Sequence, residues 1–163
     1  MGGTDKLELS IGGRSILRRS VESMAAAPHI DRVILVAAAE RVEELRATPW
    51  LDEAGVTIVP GGRRRQDSVA AGVRAASGEV VLVHDAARPL VSSELVRRVV
   101  EGARTHGAAI PALPVVDALK RVVDERVVGS EERAGLYRAQ TPQGARRALL
   151  LAAAEAHAVG DED

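Results

Sequence analysis

The chain has 163 residues, with 22 basic and 23 acidic side chains and a formal net charge of −1 at pH 7. This balance argues against nucleic acid or an anionic membrane as a partner, and the absence of cysteine excludes disulfides and thiolate metal sites. No apolar run reaches the length of a membrane span, so we expect a cytoplasmic protein with one domain over residues 1–163.

Buried strands alternate with helical patterns along the chain. Runs rich in β-branched residues predict strands at 32–38, 56–59, 79–84 and 108–115. The prolines of the fourth run indicate an edge or a bulge. Apolar residues at helical spacing predict helices near 16–24, 69–76, 95–103 and from about 143 to 158. The alternation predicts an α/β fold, a Rossmann-like, mainly parallel sheet with helices on both faces.

Residues 118–133 interrupt this alternation. Two short apolar runs flank Asp124 and Glu125, a pattern typical of a β-hairpin inserted into the α/β fold. A hairpin alone is marginally stable in water, so we expect it to pack on a partner, for which a second subunit is the natural candidate.

The run from Val80 to Pro89 is the most informative motif. An apolar strand ends in His84 and Asp85, two alanines, Arg88 and a proline. Ligands of open α/β sheets bind beyond the carboxyl ends of strands, and an arginine presents a fork suited to phosphate. The simpler interpretation is a helix N-cap at Asp85 with Arg88 as its ion-pair partner.

Three other motifs have both a functional and a structural interpretation. Gly61 to Ser68 lies between a strand and a helix, where it either binds an anion or forms a solvated turn with Ser68 as a cap. Lys6 is a phosphate ligand or a surface lysine, and Arg133 is a solvated charge when considered alone. Thr141 and Pro142 are typical of the start of the last helix, with Thr141 as N-cap.

A protein metal site is not expected. The four histidines are scattered without ligand spacing, and the sequence has no HExxH motif, no GxSxG elbow and no complete Walker A loop.

Taken together and in this order, the motifs resemble the 2-C-methyl-D-erythritol 4-phosphate cytidylyltransferases. The resemblance covers nearly the whole chain, and six ordered blocks are more specific than any one of them. The matching blocks are Asp5–Lys6 with 11–13, 61–62 with 65–69, 83–89, 112–115 with 117 and 120–121, Arg133 with 135–136, and 140–143.

The resemblance implies a reaction in which CTP and methylerythritol phosphate give CDP-methylerythritol and pyrophosphate, with Mg²⁺ held mainly through the phosphates of CTP. Two residues, Lys6 and Arg133, would be catalytic, the former on the triphosphate. Nucleotide-binding positions would be Gly62, Ser68, Asp85 and Ala86. Substrate-binding positions would be Asp85, Arg88, Ala118 and Arg133.

The resemblance further implies a homodimer through residues 118–133, with Arg133 acting across the interface on the substrate phosphate of the neighbouring subunit. Ala118 departs from the family, which usually has a threonine there that contacts the substrate phosphate. Because alanine donates no side-chain hydrogen bond, we expect substrate binding to be weaker by about 0.5–1.5 kcal/mol.

Relative to the family, the chain is expected to be truncated at both ends. The opening strand and most of the glycine-rich loop are missing, and Met1 aligns with an internal methionine. The chain also stops at residues 161–163, where the family has an acidic motif followed by more sheet and another substrate-binding lysine.

Four alternatives stay open at the level of sequence. One is a ribitol-5-phosphate cytidylyltransferase, which shares the scaffold and the CTP site. A second is a nucleotidyltransferase for another base or phosphosugar. A third is an inactive nucleotide-binding homologue, and a fourth is an incomplete gene product that does not fold alone.

Overall fold

The computed structural model describes residues 6–159, and its helices and strands follow the predicted alternation. The helices are α1 (Ile16–Ala25), α2 (Val42–Arg46), α3 (Pro49–Glu53), α4 (Arg65–Ala75), α5 (Ser93–His106) and α6 (Arg147–Val159), and a 3₁₀ turn spans Ala39–Arg41. The strands are β1 (Ser10–Ile11), β2 (Arg14–Ser15), β3 (Ile34–Ala37), β4 (Thr57–Pro60), β5 (Val80–Val83), β6 (Ala108–Ala109), β7 (Ala112–Pro114), β8 (Leu119–Val123), β9 (Arg126–Glu131), β10 (Tyr137–Ala139) and β11 (Gln143–Arg146).

The predicted α/β architecture is confirmed. Strands β3 and β4 pair in parallel, with Ile34 opposite Thr57, and helix α4 packs against both of them. Strand β11 lies between β5 and β6 and is antiparallel to each. Helix α5 packs against β6 and β11, so this part of the sheet is covered by a helix with a fully buried apolar stripe.

Strands β3, β4 and β5 direct their carboxyl ends to one edge of the molecule. Arg65 begins α4 directly beyond the end of β4, and its guanidinium reaches the carboxylate of Asp85, which follows β5. Ser68 in the first turn of α4 lies beside Gly61, whose amide bonds the carbonyl of Ala37 at the end of β3. This shared edge is where the fold collects the polar residues that follow the strands.

A cavity of about 520 Å³ separates β3 from β5 and is lined along its length by both strands. Within residues 6–159, β3 pairs on one side with β4, and β5 pairs on one side with β11. Each strand therefore has one edge directed at the cavity.

Two apolar clusters form the core. One joins α1 to the α2–α3 region and to Ile58 of β4, with Leu51 almost completely buried. The other joins Met24 of α1 to Val96 and Val100 of α5. The buried residues of both clusters are aliphatic apart from Met24, in agreement with a composition in which aromatic residues are only 1%.

The predicted start of the last helix at Gln143 is wrong. Residues 143–146 form β11, and α6 begins at Arg147. The backbone of these residues bonds both β5 and β6, and a Cβ added at Gly144 would lie 2.6 Å from Leu82 and 2.8 Å from Val99. Pairing on two sides and close packing outweigh the helical propensity of the segment.

The single strand predicted at 108–115 is also corrected. It is divided into β6 and β7, which pair with different strands, β11 and β10. The break falls at Ile110–Pro111, where proline has no amide proton to donate to a sheet. The sequence did not predict α2, α3 or the small β1–β2 hairpin. Gly12 and Gly13 form the turn of this hairpin, with φ of 57° and 75°.

The hairpin predicted at 118–133, hereafter the arm, is confirmed. Strands β8 and β9 pair antiparallel with Val123 opposite Arg126, and Asp124 and Glu125 between them have φ of 46° and 62°. Positive φ at both central residues is the geometry of a type I′ turn, which suits the twist of a two-residue hairpin. Four valines of the arm are exposed: Val122, Val123, Val127 and Val128.

Among residues 6–159, no helix combines the length and the apolar character that crossing a bilayer requires.

Candidate functional site

The turn between β4 and α4 folds tightly onto the first turn of the helix. The amide of Gly62 donates to Ser68 Oγ at 3.1 Å. A Cβ on Gly61 would lie 2.7 Å from Ser68 Oγ, and a Cβ on Gly62 would lie 2.2 Å from Asp67 Cβ. Both glycines are therefore required for the close approach, which places exposed backbone at the positive N-terminus of α4.

Asp67 organises the same helix start. Its carboxylate accepts the backbone N–H of Arg64 at 3.0 Å and the guanidinium of Arg64 at 2.8 Å. These hydrogen bonds hold the pKa of the Asp67 carboxyl below its usual value, the side-chain bond having the larger effect. Asp67, in the first turn of α4, thus caps the N-terminus of the helix, while the hydroxyl of Ser68 accepts a hydrogen bond from the preceding loop.

The Asp85 carboxylate lies between two guanidinium groups. Arg65 Nη2 approaches Oδ1 at 3.3 Å, and Arg88 Nε approaches Oδ2 at 3.2 Å. Arg65 comes from α4 and Arg88 from the turn after β5, so the contact joins the two strand ends. All three side chains are partly exposed, and they present two cations and one anion to solvent at the shared edge.

The turn from His84 to Arg88 is held by residues just before β11. Arg88 Nη1 donates to Gln140 Oε1 at 2.7 Å. Thr141 Oγ1 accepts the amide N–H of Asp85 at 3.3 Å and lies 2.9 Å from His84 Nδ1. A second cavity, of about 630 Å³, opens beside Arg88 and is bordered by His84 and Gln140.

His84 is partly buried, and this burial lowers the pKa of its imidazole below the usual value. The hydrogen bond to the carbonyl of Arg88 and the negative charge of Asp85 raise the pKa and offset part of the effect. We therefore assign a neutral ring at pH 7.

The chain next to Lys6 packs on the same part of the core as Ala86. Leu7, next to Lys6, and Ala86, next to Asp85, pack against the same apolar cluster. Lys6 itself is exposed, in a turn before β1. Asp5, which precedes Lys6 in the matching block, lies outside the described residues.

Arg133 and Ala118 lie at the base of the arm. Arg133 Nη1 donates to the carbonyl oxygen of Val116, and Ala118 is exposed one residue before β8. Neither residue lines either of the two cavities, and the strands of the arm pair only with each other among the described residues. The structure thus brings together Gly62, Ser68, Asp85, Ala86 and Arg88, and it holds Arg133 and Ala118 apart from them on the arm.

Four residues of this arrangement were missed or assigned another role from sequence: Arg65, His84, Gln140 and Thr141. Thr141 was predicted as a helix N-cap and instead bonds the turn after β5. Their place in the sequence was the available signal. His84 is the last residue of the predicted strand at 79–84, and Arg65 begins the helix that follows the strand before it. Nothing in the sequence places 140–141 beside them, since that contact spans more than 50 residues.

In the part of the chain from residue 6 to 159, no three histidine or acidic side chains converge on a common point that would hold a metal ion. Asp85 is a carboxylate of the type that Mg²⁺ binds, but its oxygens face guanidinium groups. The Mg²⁺ expected through the phosphates of CTP therefore stays a prediction.

The family model described as IspD, 2-C-methyl-D-erythritol 4-phosphate cytidylyltransferase, matches residues 1–162. The chain belongs to this family. A protein of Cereibacter sphaeroides named 2-C-methyl-D-erythritol 4-phosphate cytidylyltransferase is 41% identical over 156 residues, which are 94% of this chain and 69% of that protein. A protein of Desulfotalea psychrophila named bifunctional enzyme IspD/IspF is 43% identical over 147 residues, which are 88% of this chain but 38% of that protein.

Solved structures agree with this assignment. The 2-C-methyl-D-erythritol 4-phosphate cytidylyltransferase of Thermus thermophilus superposes with a TM-score of 0.80 at 38% identity, covering 97% of this chain and 74% of the other. The 4-diphosphocytidyl-2C-methyl-D-erythritol synthase of Anaerococcus prevotii gives 0.82 at 27% identity, covering 94% and 69%. The chain thus spans about two thirds to three quarters of these relatives, and less than half of the bifunctional one.

Proposed function

We propose that this chain is the catalytic region of a 2-C-methyl-D-erythritol 4-phosphate cytidylyltransferase. The single observation that supports this most is the meeting of the Gly61–Ser68 turn with the Asp85–Arg88 turn at one edge of the sheet. The first turn offers backbone and a helix N-terminus to a nucleotide, and the second offers a guanidinium to a phosphate. The family resemblance implies a binding role for both turns.

In the proposed reaction a phosphate oxygen of the sugar phosphate attacks the α-phosphorus of CTP. The bond from the α-phosphorus to the oxygen bridging to the β-phosphate breaks, and pyrophosphate leaves with the electron pair. Substrate phosphate is already ionised at neutral pH, so the protein needs to position it and to stabilise the charge that develops. Mg²⁺, bound mainly by the phosphates of CTP, would neutralise part of that charge.

The proposed roles are those that the family resemblance implies. Gly62 and Ser68 bind the cytosine end of CTP, and Asp85 and Ala86 lie at the ribose. Arg88, steadied by Gln140, binds the sugar phosphate beside the second cavity. Lys6 binds the triphosphate.

We further propose a homodimer formed through the arm. Val122, Val123, Val127 and Val128 expose apolar surface on both faces of a two-stranded hairpin, which by itself is marginally stable in water. A partner subunit covering one face removes that surface from solvent. Arg133, and the backbone at Ala118, would then reach the substrate phosphate of the partner.

Pyrophosphate release tests the proposal. Mg·CTP is supplied with methylerythritol phosphate or with ribitol 5-phosphate, to this chain and to a version extended at both ends. Release with methylerythritol phosphate supports the proposal. Release with ribitol 5-phosphate alone would identify a ribitol-5-phosphate cytidylyltransferase instead. If the extended version is folded and releases no pyrophosphate with either substrate, both cytidylyltransferase assignments are contradicted.

A further inference from the structure

Each of the two ring nitrogens of His84 has a polar neighbour at hydrogen-bonding distance. Nε2 lies 3.0 Å from the carbonyl oxygen of Arg88, and Nδ1 lies 2.9 Å from Thr141 Oγ1. A carbonyl oxygen only accepts, so Nε2 must carry a proton and donate it. In a neutral ring Nδ1 is then an acceptor, and the hydroxyl of Thr141 is its donor.

Thr141 extends the chain of hydrogen bonds back to the same turn. Its oxygen accepts the amide N–H of Asp85 at 3.3 Å while its proton is directed to His84. Thr141 is buried, with 8% of its surface exposed, so its hydroxyl has little access to alternative partners in water. Within the turn, the amide of Arg88 donates to the carbonyl of Asp85 at 2.9 Å. The backbone is therefore held at Asp85 by Thr141 and at Arg88 by His84.

The side chains that project from this backbone are the polar groups of the site. Asp85 and Arg88 contact each other at 3.2 Å, and Arg88 also donates to Gln140, the neighbour of Thr141. One segment, 140–141, thus holds the turn through both backbone and side chain. A displaced turn would move the Asp85 carboxylate and the Arg88 guanidinium together.

A role for His84 as a general base does not fit this geometry. Both nitrogens are already engaged, and the attacking phosphate monoester has a second pKa of about 6, so it needs no base at neutral pH. A histidine whose two ring nitrogens are both hydrogen-bonded instead holds the backbone of the turn in place.

We propose that His84, as the neutral Nε2–H tautomer, is a positioning residue that locks the Asp85–Arg88 turn to Thr141 and so sets the placement of Arg88 for the phosphate substrate. This inference rests on the proposed function in one respect, that Asp85 and Arg88 face the substrates. The hydrogen-bond pattern itself does not depend on the reaction.

Three substitutions separate the two bonds. His84→Gln places an amide nitrogen near the former Nε2 and keeps the bond to Arg88. His84→Asn places an amide oxygen near the former Nδ1 and keeps the bond to Thr141, and His84→Phe keeps ring volume and loses both. His106→Gln, on the exposed end of α5, is the matched control.

In the extended version that releases pyrophosphate, each lost bond should raise the KM for the sugar phosphate about five- to tenfold, and His84→Phe should have the largest effect. A purely structural role would lower the melting temperature and the active fraction but leave KM unchanged. Combining His84→Phe with Thr141→Val should cost less than the sum of the two single effects, because they remove the same bond. If His84→Phe does not fold, His84→Gln and His84→Asn decide the question.

The imidazole ¹⁵N shifts of His84 give a readout independent of activity. In this chain at pH 7.5 we expect a protonated Nε2 and an unprotonated Nδ1, with the signal assigned by its loss in His84→Gln. A proton on Nδ1, or a KM in His84→Phe equal to that of wild type, would overturn the inference. An inactive wild type with the expected tautomer would instead contradict the proposed function.

Discussion

At the scale of single residues, the site is an arrangement of charges around one acid. Asp85 accepts from Arg65 and Arg88, two cations that approach from different elements. The carboxylate therefore sets the spacing of the guanidinium groups that a phosphate ligand would meet. Removing its charge takes away the anion that holds Arg65 close to Arg88, and the two cations would repel each other. Arg88 would keep its hydrogen bond to Gln140.

Replacement of Asp85 by asparagine tests this arrangement. Hydrogen bonds to charged groups contribute about 1.5–3 kcal/mol, so kcat/KM for pyrophosphate release by the extended version should fall about 10- to 150-fold. The control is Asp52→Asn, which changes an exposed acid on α3. Equal kinetics in the two variants would contradict a role for the Asp85 charge.

His84 also makes stability depend on pH. Burial lowers the pKa of the folded imidazole below its value in the unfolded chain, so the unfolded state binds more protons between those two pKa values. The contribution to the free energy of unfolding is therefore complete above about pH 6.5 and is lost as the pH falls through the window below it. The groups that act on the ring are the Asp85 carboxylate and the Arg88 carbonyl and guanidinium.

Urea unfolding at pH 7.5 and pH 5.5 measures this effect. We expect the wild type to lose more stability between the two pH values than His84→Gln, whose side chain does not titrate. His106→Gln, which changes an exposed histidine, should retain the wild-type difference. Identical pH dependence in wild type and His84→Gln would show that His84 is not the titrating group.

At the scale of elements, the arm differs from the rest of the chain. Its strands pair only with each other among the described residues, and its valines are exposed on both faces. Val122 and Val127 are cross-strand partners on one face, and Val123 lies on the other. Val128 has no partner in β8, because the register shifts there by one residue. A covering subunit therefore has two possible faces, and they can be tested separately.

Charged substitutions on each face test the proposed dimer. The variants are Val122→Glu with Val127→Glu on one face, and Val123→Glu on the other. In light scattering coupled to size exclusion, wild type should have the mass of a dimer, and the variant on the buried face should have that of a monomer. A monomeric wild type, or dimers in both variants, would contradict an interface made by the arm.

At the scale of the whole molecule, the cavity between β3 and β5 divides the sheet. Thr57 N–H bonds Val33 O and Gly61 N–H bonds Ala37 O, so the odd-numbered residues of β3 face β4. Arg147 N–H bonds Glu79 O, so the odd-numbered residues of β5 face β11. The even-numbered backbone groups of both strands therefore face the cavity: Ile34, Val36, Val80 and Leu82.

Hydrogen exchange measured residue by residue checks this pattern in the isolated chain. Amides directed at the cavity should exchange at least about tenfold faster than their neighbours in the same strand, because opening of the sheet is not needed to expose them. The internal controls are the amides bonded within the sheets, those of Leu35, Ala37, Val81 and Val83. Uniform protection along β3 and β5 would show that these edges are paired.

The sequence by itself determined the features that depend on local chemistry. Hydrophobic runs identified β3, β4 and β5, and periodicity identified α1 and α5. Ser92 is the N-cap of α5 and accepts the amide N–H of Leu95. The arm was predicted because two apolar runs flank a two-residue turn. The residues following β4 and β5 were predicted as a site because strand ends in α/β folds share an edge.

Only the tertiary structure decided what depends on contacts distant in sequence. Residues 143–146 became a strand because β5 and β6 offer hydrogen bonds on both sides, which no local propensity records. Thr141 became a partner of His84 and Asp85, more than 50 residues away, for the same reason. Local sequence specifies the conformations that a segment prefers, but the free energy of pairing and burial selects among them once the chain has folded.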